Sequence, residues 1–128
     1  MQIVDVKEKW TNKINTVTIG ATAAEGGTRS KTVTVGGETT LPLLTFEGQI
    51  PNRPVIAGVV VDVTPDDWPD VLKKSIGDVV NSPAEWAQKC VEEYKVDLIS
   101  LKLLGPSPTG KNLSADHAAK TVKAILQA

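Results

Sequence analysis

Few side chains in this 128-residue chain are of a type and spacing that could do chemistry. Asp62 ends an apolar run and opens the loop Thr64-Pro65-Asp66-Asp67-Trp68-Pro69-Asp70, which is too rich in proline to continue a regular element. A carboxylate there can bind a polar ligand or cap local amides, and both readings stand. Lys102 sits inside an apolar stretch, where an isolated ammonium is expensive unless it faces a carboxylate or a ligand. Trp68, among aspartates, can stack on a flat cofactor or pack over the rim of the fold. The sole histidine, His117, reads as a solvated side chain in the first turn of an exposed helix. The sole cysteine, Cys90, falls on the core stripe of a helix, where a thiol stays protonated and inert. Gly-x-Gly-x-x-Gly after a strand, a Walker sequence, Gly-x-Ser-x-Gly and His-Glu-x-x-His are all missing. No catalytic residue and no metal ligand is therefore expected.

Composition narrows the partners. Lys plus Arg number 14 and Asp plus Glu 15, so no positive field would hold nucleic acid or an anionic membrane. The longest apolar run falls far short of a bilayer span, and the N-terminus mixes charges where a signal peptide needs apolar residues. A cytoplasmic location is expected. A single cysteine excludes an internal disulfide, a zinc knuckle or a cysteine-ligated iron-sulfur cluster held by this chain alone.

The elements that must position these residues form two parts, expected over 1–54 and 55–128. In the first, Thr16-Val17-Thr18-Ile19 and Thr32-Val33-Thr34-Val35 alternate with the two-residue period of half-buried strands, and glycines follow each, which predicts a β-ribbon. Its loop carries Gly26-Gly27-Thr28-Arg29-Ser30, either an anion-gathering tip or a flexible hairpin end. Prolines 42, 51 and 54 predict an extended lead-in. In the second part, the β-branched run over 55–61 predicts a strand buried on both faces of a parallel sheet. One or two helical turns are expected within 71–80. Ser82-Pro83-Ala84-Glu85 then starts a helix that should bury Ala87, Cys90, Val91 and Tyr94. A second strand over 96–104 ends at Gly105-Pro106, and a last helix from Ser114 should bury Ala118, Val122, Ile125 and Leu126. Two βα units in series make parallel neighbours, and a (β/α)8 barrel takes about 250 residues. The chain thus reads as α/β, the opening of such a barrel behind a β-ribbon, and functional residues of barrels lie at the carboxyl ends of strands.

A resemblance adds what periodicity does not supply. Gly20-Ala21-Thr22, Gly26-Gly27-Thr28-Arg29, Val35-Gly36-Gly37, Phe46-Glu47-Gly48, Asn52-Arg53-Pro54-Val55-Ile56, Asp67-Trp68-Pro69-Asp70-Val71, Trp86-Ala87-Gln88-Lys89-Cys90-Val91 and Asp97-Leu98-Ile99-Ser100-Leu101-Lys102-Leu103 occur in this order along the chain. Together they resemble the opening of the small (delta) subunit of the corrinoid iron-sulfur protein of the acetyl-CoA decarbonylase/synthase complex. The resemblance implies a pterin-binding-like (β/α)8 (TIM) barrel, and Asp62-Val63-Thr64-Pro65-Asp66 echoes the first strand end of dihydropteroate synthase-type barrels. The chain departs from the family pattern at Val59 and Leu104, where relatives tend to be acidic.

The implied role is methyl carriage in the reductive acetyl-CoA pathway, from methyltetrahydrofolate methyltransferase to CO dehydrogenase/acetyl-CoA synthase. The large (gamma) subunit would hold the iron-sulfur cluster and most of the corrinoid (cobalamin) site. By that resemblance this chain would be a non-catalytic subunit of such a system and would cover the corrinoid from its strand ends, with Asp62, Thr64, Lys102 and Gly105 as the corrinoid-facing candidates. Asp116-His117-Ala118 departs from the Asp-x-His-x-x-Gly pattern of cobalt-ligating domains. The alternatives are a pterin-binding methyltransferase fragment, in which Asp62 and Lys102 would hold the pterin, and a scaffold that folds only by pairing its open sheet edge.

Overall fold

The computed structural model describes residues 6–128, so the part read over 1–54 and the charged stretch read against a signal peptide both begin outside the described residues. The chain divides into two compact units, Met1–Val55 and Ile56–Ala128. Among the described residues no helix is long and apolar enough to cross a membrane.

In the first unit the alternating segments pair as an antiparallel ribbon, β1 (Val17–Ile19) against β2 (Val33–Val35), with Val17 opposite Val35 and Ile19 opposite Val33. Between them the Thr18 and Thr34 hydroxyls meet at 3.1 Å. Pairing continues outward, as Gly37 donates to the Ile14 carbonyl at 3.0 Å and Ile14 to that of Glu38 at 2.8 Å. Gly36 makes this approach possible: its φ is 85°, and a Cβ there would collide with the Asn15 carbonyl. Half-buried strands were expected. Only β2 is half-buried, and every residue of β1 is exposed, as a sheet of only two strands buries little on its own.

The extended lead-in also gives way to turns. Leu44 donates to the Leu41 carbonyl at 3.2 Å and Glu47 to that of Leu44 at 2.9 Å. Pro42 takes the second place of the first turn and Leu43 the third with φ 70°, the sign a type II turn demands. Proline's fixed φ suits such a turn as well as an extended chain. The buried Thr40 hydroxyl, donating to the Leu44 carbonyl at 3.2 Å, staples the turn.

The second unit is mixed α/β. Strand β3 (Ala57–Val61) runs parallel to β4 (Leu98–Lys102), with Ala57 beside Leu98 and Val61 beside Lys102. Between the strands lie α1 (Asp70–Ile76), a 3-10 turn over Asp78–Asn81 and α2 (Pro83–Glu92), and α3 (Ala115–Gln127) follows β4. Helix α2 starts as its sequence demands, with the Ser82 hydroxyl accepting from the Glu85 amide at 3.5 Å and proline in the first turn. Ser114 caps α3 in the same way, accepting from His117 at 3.3 Å.

Paired strand residues share a sheet face and successive ones alternate. Gly58, Val60, Ile99 and Leu101 therefore point to one side, where α2 packs. Val60 is 0% exposed, and a Cβ on Gly58 would stand 3.2 Å from that of Cys90. On the other side Val61 is buried and Leu98 half-buried, while Ala57, Val59, Ser100 and Lys102 are exposed. A strand buried on both faces was expected for the run ending at Val61; β3 is covered on one face along its length and on the other only at its end.

Both helix stripes are rotated from expectation. In α2 the buried residues are Trp86, Ala87 and Cys90, whereas Val91 is 50% exposed and Tyr94 is also exposed. The indole accounts for this: it buries far more apolar area than Val91, and it meets Trp68 edge-on at 5.5 Å and 85°. Trp68 thus packs against the core. In α3 the inward face is His117, Ala118, Thr121 and Ile125, leaving Val122 and Leu126 outside. Burial raises the pKa of the Cys90 thiol, partly offset by the charge of Lys89 and a hydrogen bond from Trp86; the side chain is held as an inert core residue.

Trp86→Ala is expected to cost about 3–5 kcal/mol of unfolding free energy, whereas Val91→Ala on the outward face should change it by about 0.5 kcal/mol or less. Urea denaturation followed by far-UV circular dichroism distinguishes this packing from the stripe centred on Val91 and Tyr94.

Candidate functional site

At the carboxyl ends of β3 and β4 the chain gathers around one carboxylate. The Asp62 amide extends the strand ladder, donating to the Lys102 carbonyl at 3.2 Å. Its side chain follows Val60 onto the helix-covered face and is 0% exposed. Oδ1 accepts from the Leu104 amide at 2.7 Å and from the Gly105 amide at 3.0 Å, and Oδ2 from Gly105 at 3.1 Å. Buried carboxylates are tolerated when backbone donors replace their water. The position admits only glycine at 105, since a Cβ there would lie 2.7 Å from Asp62 Oδ2 and 2.8 Å from Leu113 Cδ1. Gly105 also accepts from Leu113 at 2.9 Å, closing the loop that leads into α3.

From α3, His117 Nε2 comes within 3.3 Å of Asp62 Oδ2. The nitrogen is buried and makes no hydrogen bond. His117 was expected to be solvated; its side chain is instead 33% exposed, with Nε2 against the carboxylate. The spacing His117, Thr121, Ile125 carried the signal, since residues four apart share a helix face. The Thr121 hydroxyl donates to the His117 carbonyl at 3.1 Å.

The four residues singled out from sequence are thus placed differently. Asp62 and Gly105 are in direct contact. The Asp62 oxygens are occupied by amides of the turn after β4 rather than by those of its own proline loop. Thr64 is half-buried and its hydroxyl donates to Asn81 Oδ1 at 3.1 Å, tying the loop after β3 to the turn before α2. Lys102 is exposed on the other face of the sheet, and its ammonium has no ion-pair or hydrogen-bond partner among the described residues. Lys111 and Asp66 approach at 3.9 Å between the two strand-end loops, an exposed pair of small worth. No cluster of three or more metal-ligating side chains is found among the described residues.

The ribbon tip is organised by contacts among its own residues. Thr22 donates through its amide at 2.8 Å and its hydroxyl at 2.7 Å to Glu25 Oε2, and a 3-10 turn over Ala23–Glu25 ends at Gly26 with φ 77°. Arg29 donates to the Thr28 hydroxyl from Nε at 3.2 Å and from Nη2 at 3.0 Å.

The family model of the CO dehydrogenase/acetyl-CoA synthase delta subunit matches residues 16–128. The chain belongs to that family. Among curated relatives, the acetyl-CoA decarbonylase/synthase complex subunit delta of Archaeoglobus fulgidus is 41% identical over 126 residues, covering 95% of this chain and 27% of the relative. Subunit delta 1 of Methanosarcina thermophila is 41% identical over 120 residues, covering 94% and 27%. Subunit delta of Methanocaldococcus jannaschii is 36% identical over 121 residues, covering 94% and 29%. The chain thus spans 27–29% of the length of these delta subunits. The match lends no support to the pterin-binding methyltransferase alternative.

Two outcomes test this geometry. Asp62→Asn and Gly105→Ala should each destabilise the second unit by about 2–3 kcal/mol, the first by turning an amide group toward amide donors and the second by overpacking. Equal stability of either variant in urea would show that the carboxylate does not tie the strand ends. For Glu25, hydrogen bonds from the Thr22 backbone and hydroxyl hold the carboxyl pKa below its ordinary 4.5. A depressed folded-state value means the cap is present above the unfolded value and is lost as pH falls through the folded one. An NMR titration of the Glu25 side chain should therefore show a midpoint under 4.5, moving upward in Thr22→Val.

Proposed function

We propose that this chain serves as the N-terminal part of a delta subunit of the acetyl-CoA decarbonylase/synthase complex, supplying the first two βα units of a (β/α)8 barrel. The observation that carries the reading is the family match over residues 16–128. The parallel β3–α2–β4–α3 order, with helices on one sheet face and exposed residues on the other, is consistent with a barrel wall. In this reading the chain is a non-catalytic component in the cytoplasm. Its partner is the large (gamma) subunit, which holds the iron-sulfur cluster and most of the corrinoid, between methyltetrahydrofolate methyltransferase and CO dehydrogenase/acetyl-CoA synthase.

Of the four candidates, the chemistry of Lys102 suits the corrinoid best. It stands at the carboxyl end of β4 on the open face, where an ammonium can donate to amide carbonyls on a corrinoid rim. Asp62, Thr64 and Gly105 are engaged with the fold and act by shaping the strand ends. The bound corrinoid would supply a cobalt that carries the methyl group. Ala57 and Val59, apolar and exposed on the same face as Lys102, would help keep water from it.

Co-expression with a corrinoid iron-sulfur large subunit, purification through a tag on this chain and a visible spectrum test the reading. Co-elution with a corrinoid spectrum is expected, and Lys102→Ala should lower the corrinoid retained about three- to tenfold, the worth of one charge-assisted hydrogen bond at a partly exposed site. A colourless product without the large subunit would overturn the assignment; full retention by Lys102→Ala would overturn the role of Lys102.

A further inference from the structure

Helix α3 carries two apolar faces, and its own chain covers one of them. Ala118, Thr121 and Ile125 turn inward. Ala115, Ala119, Val122 and Leu126, spaced four, three and four residues apart, form a second stripe beside the first. All four are exposed, Val122 by 36% and Leu126 by 52%. Alternating steps of three and four residues keep side chains in one line along a helix, the spacing of a coiled-coil seam. Asp116 follows Ala115 and Lys123 follows Val122, so the two charges lie along one flank of the stripe, an acid near its start and a base near its end. Both are exposed, and among the described residues neither forms an ion pair within its own chain. A flank charged in this way is complementary to itself when reversed. We propose that this face of α3 docks a second copy of the chain, the two α3 helices packing antiparallel about a two-fold axis.

A two-fold axis makes every contact reciprocal. With the axis between Ala119 and Val122, Ala119 of each copy meets Val122 of the other, and Ala115 meets Leu126. Each layer then sets a small side chain against a larger one, which lets the backbones approach and fills the space between them. The same rotation brings Asp116 of each copy toward Lys123 of the other, so that two contacts of opposite charge flank the seam and set its direction. A parallel pair does neither. It would oppose Ala115 to Ala115 and Leu126 to Leu126, leaving a gap at one end and crowding at the other, and would turn the charged flank toward Ala118 and Ile125. The seam is short, since 13 residues at 1.5 Å each make a helix of about 20 Å. Four side chains per copy, two of them alanines, fall below the roughly 800 Å² per partner of a standard interface, so the association is weak.

Sedimentation equilibrium of the full chain, from about 10 µM to about 1 mM, should show the mass rising from one copy toward two. Asp116→Lys and Lys123→Asp should each weaken association about tenfold, because each replaces two attractions by two repulsions. An equimolar mixture of these two variants should associate as the wild type does, since both flanking contacts in the mixed pair are again of opposite charge. Leu126→Glu should stay monomeric with the far-UV circular dichroism of the wild type. A wild type that is monomeric throughout overturns the proposal and gives the stripe to a different protein. Association that the single variants leave unchanged also overturns it, by placing the contact on another surface. A mixture that associates no better than either variant alone overturns the antiparallel pairing. Asp116→Lys removes an acid from the first turn of α3; should it fail to fold, Lys123→Asp and Leu126→Glu still decide, since wild-type association in either overturns the proposal. None of these outcomes depends on a corrinoid or a large subunit.

Discussion

The second unit depends on a buried negative charge. Asp62 lies where β3 has ended and the chain must leave the sheet, and its oxygens collect the amides of the turn that terminates β4. A carboxylate with no water around it is costly unless donors are fixed in place, so the same requirement that keeps it satisfied also fixes the two strand ends relative to each other. Everything beyond depends on that registration: the glycine at 105, the closed loop to Leu113 and the rotation of α3 that brings His117 inward. The strand-end side of the unit is thus organised by electrostatics, while its other end relies on the packing of Trp86, Cys90 and Val96 beneath the sheet.

That packing is one-sided. A two-stranded parallel sheet has two faces and two edges, and its helices cover one face. Parallel sheets ordinarily bury both. Val59 and Lys102 are both exposed and share the face that the helices leave open among the described residues.

Element identity was largely legible in the sequence because it rests on local rules: the alternation of Val17–Ile19, the Ser82 and Ser114 caps and the β-branched run into Val61 act within a few residues. What escaped were the choices made by distant partners. Whether Trp86 or Val91 faces inward depends on Gly58, which leaves room for Cys90, and on Trp68 far back in the chain. At the candidate site, position was legible and purpose was not. Strand-end logic picked out Asp62 and Gly105, but only the folded chain shows them spent on each other, and the lone histidine gave no hint that its partner lay 55 residues earlier, by the numbering of Asp62 and His117. Lys102 stood out because an ammonium amid apolar residues has to reach something; the strand's alternation turns it to the face the helices do not cover.

The placement of the one thiol has a practical consequence. Cys90 is 4% exposed, wedged below Gly58 at the centre of the packed face, and burial disfavours its thiolate. An alkylating reagent can reach it only when α2 lifts from the sheet. With no second cysteine in the chain to complicate the signal, the rate of alkylation is a built-in clock for the opening of the second unit, read without adding any label to the protein.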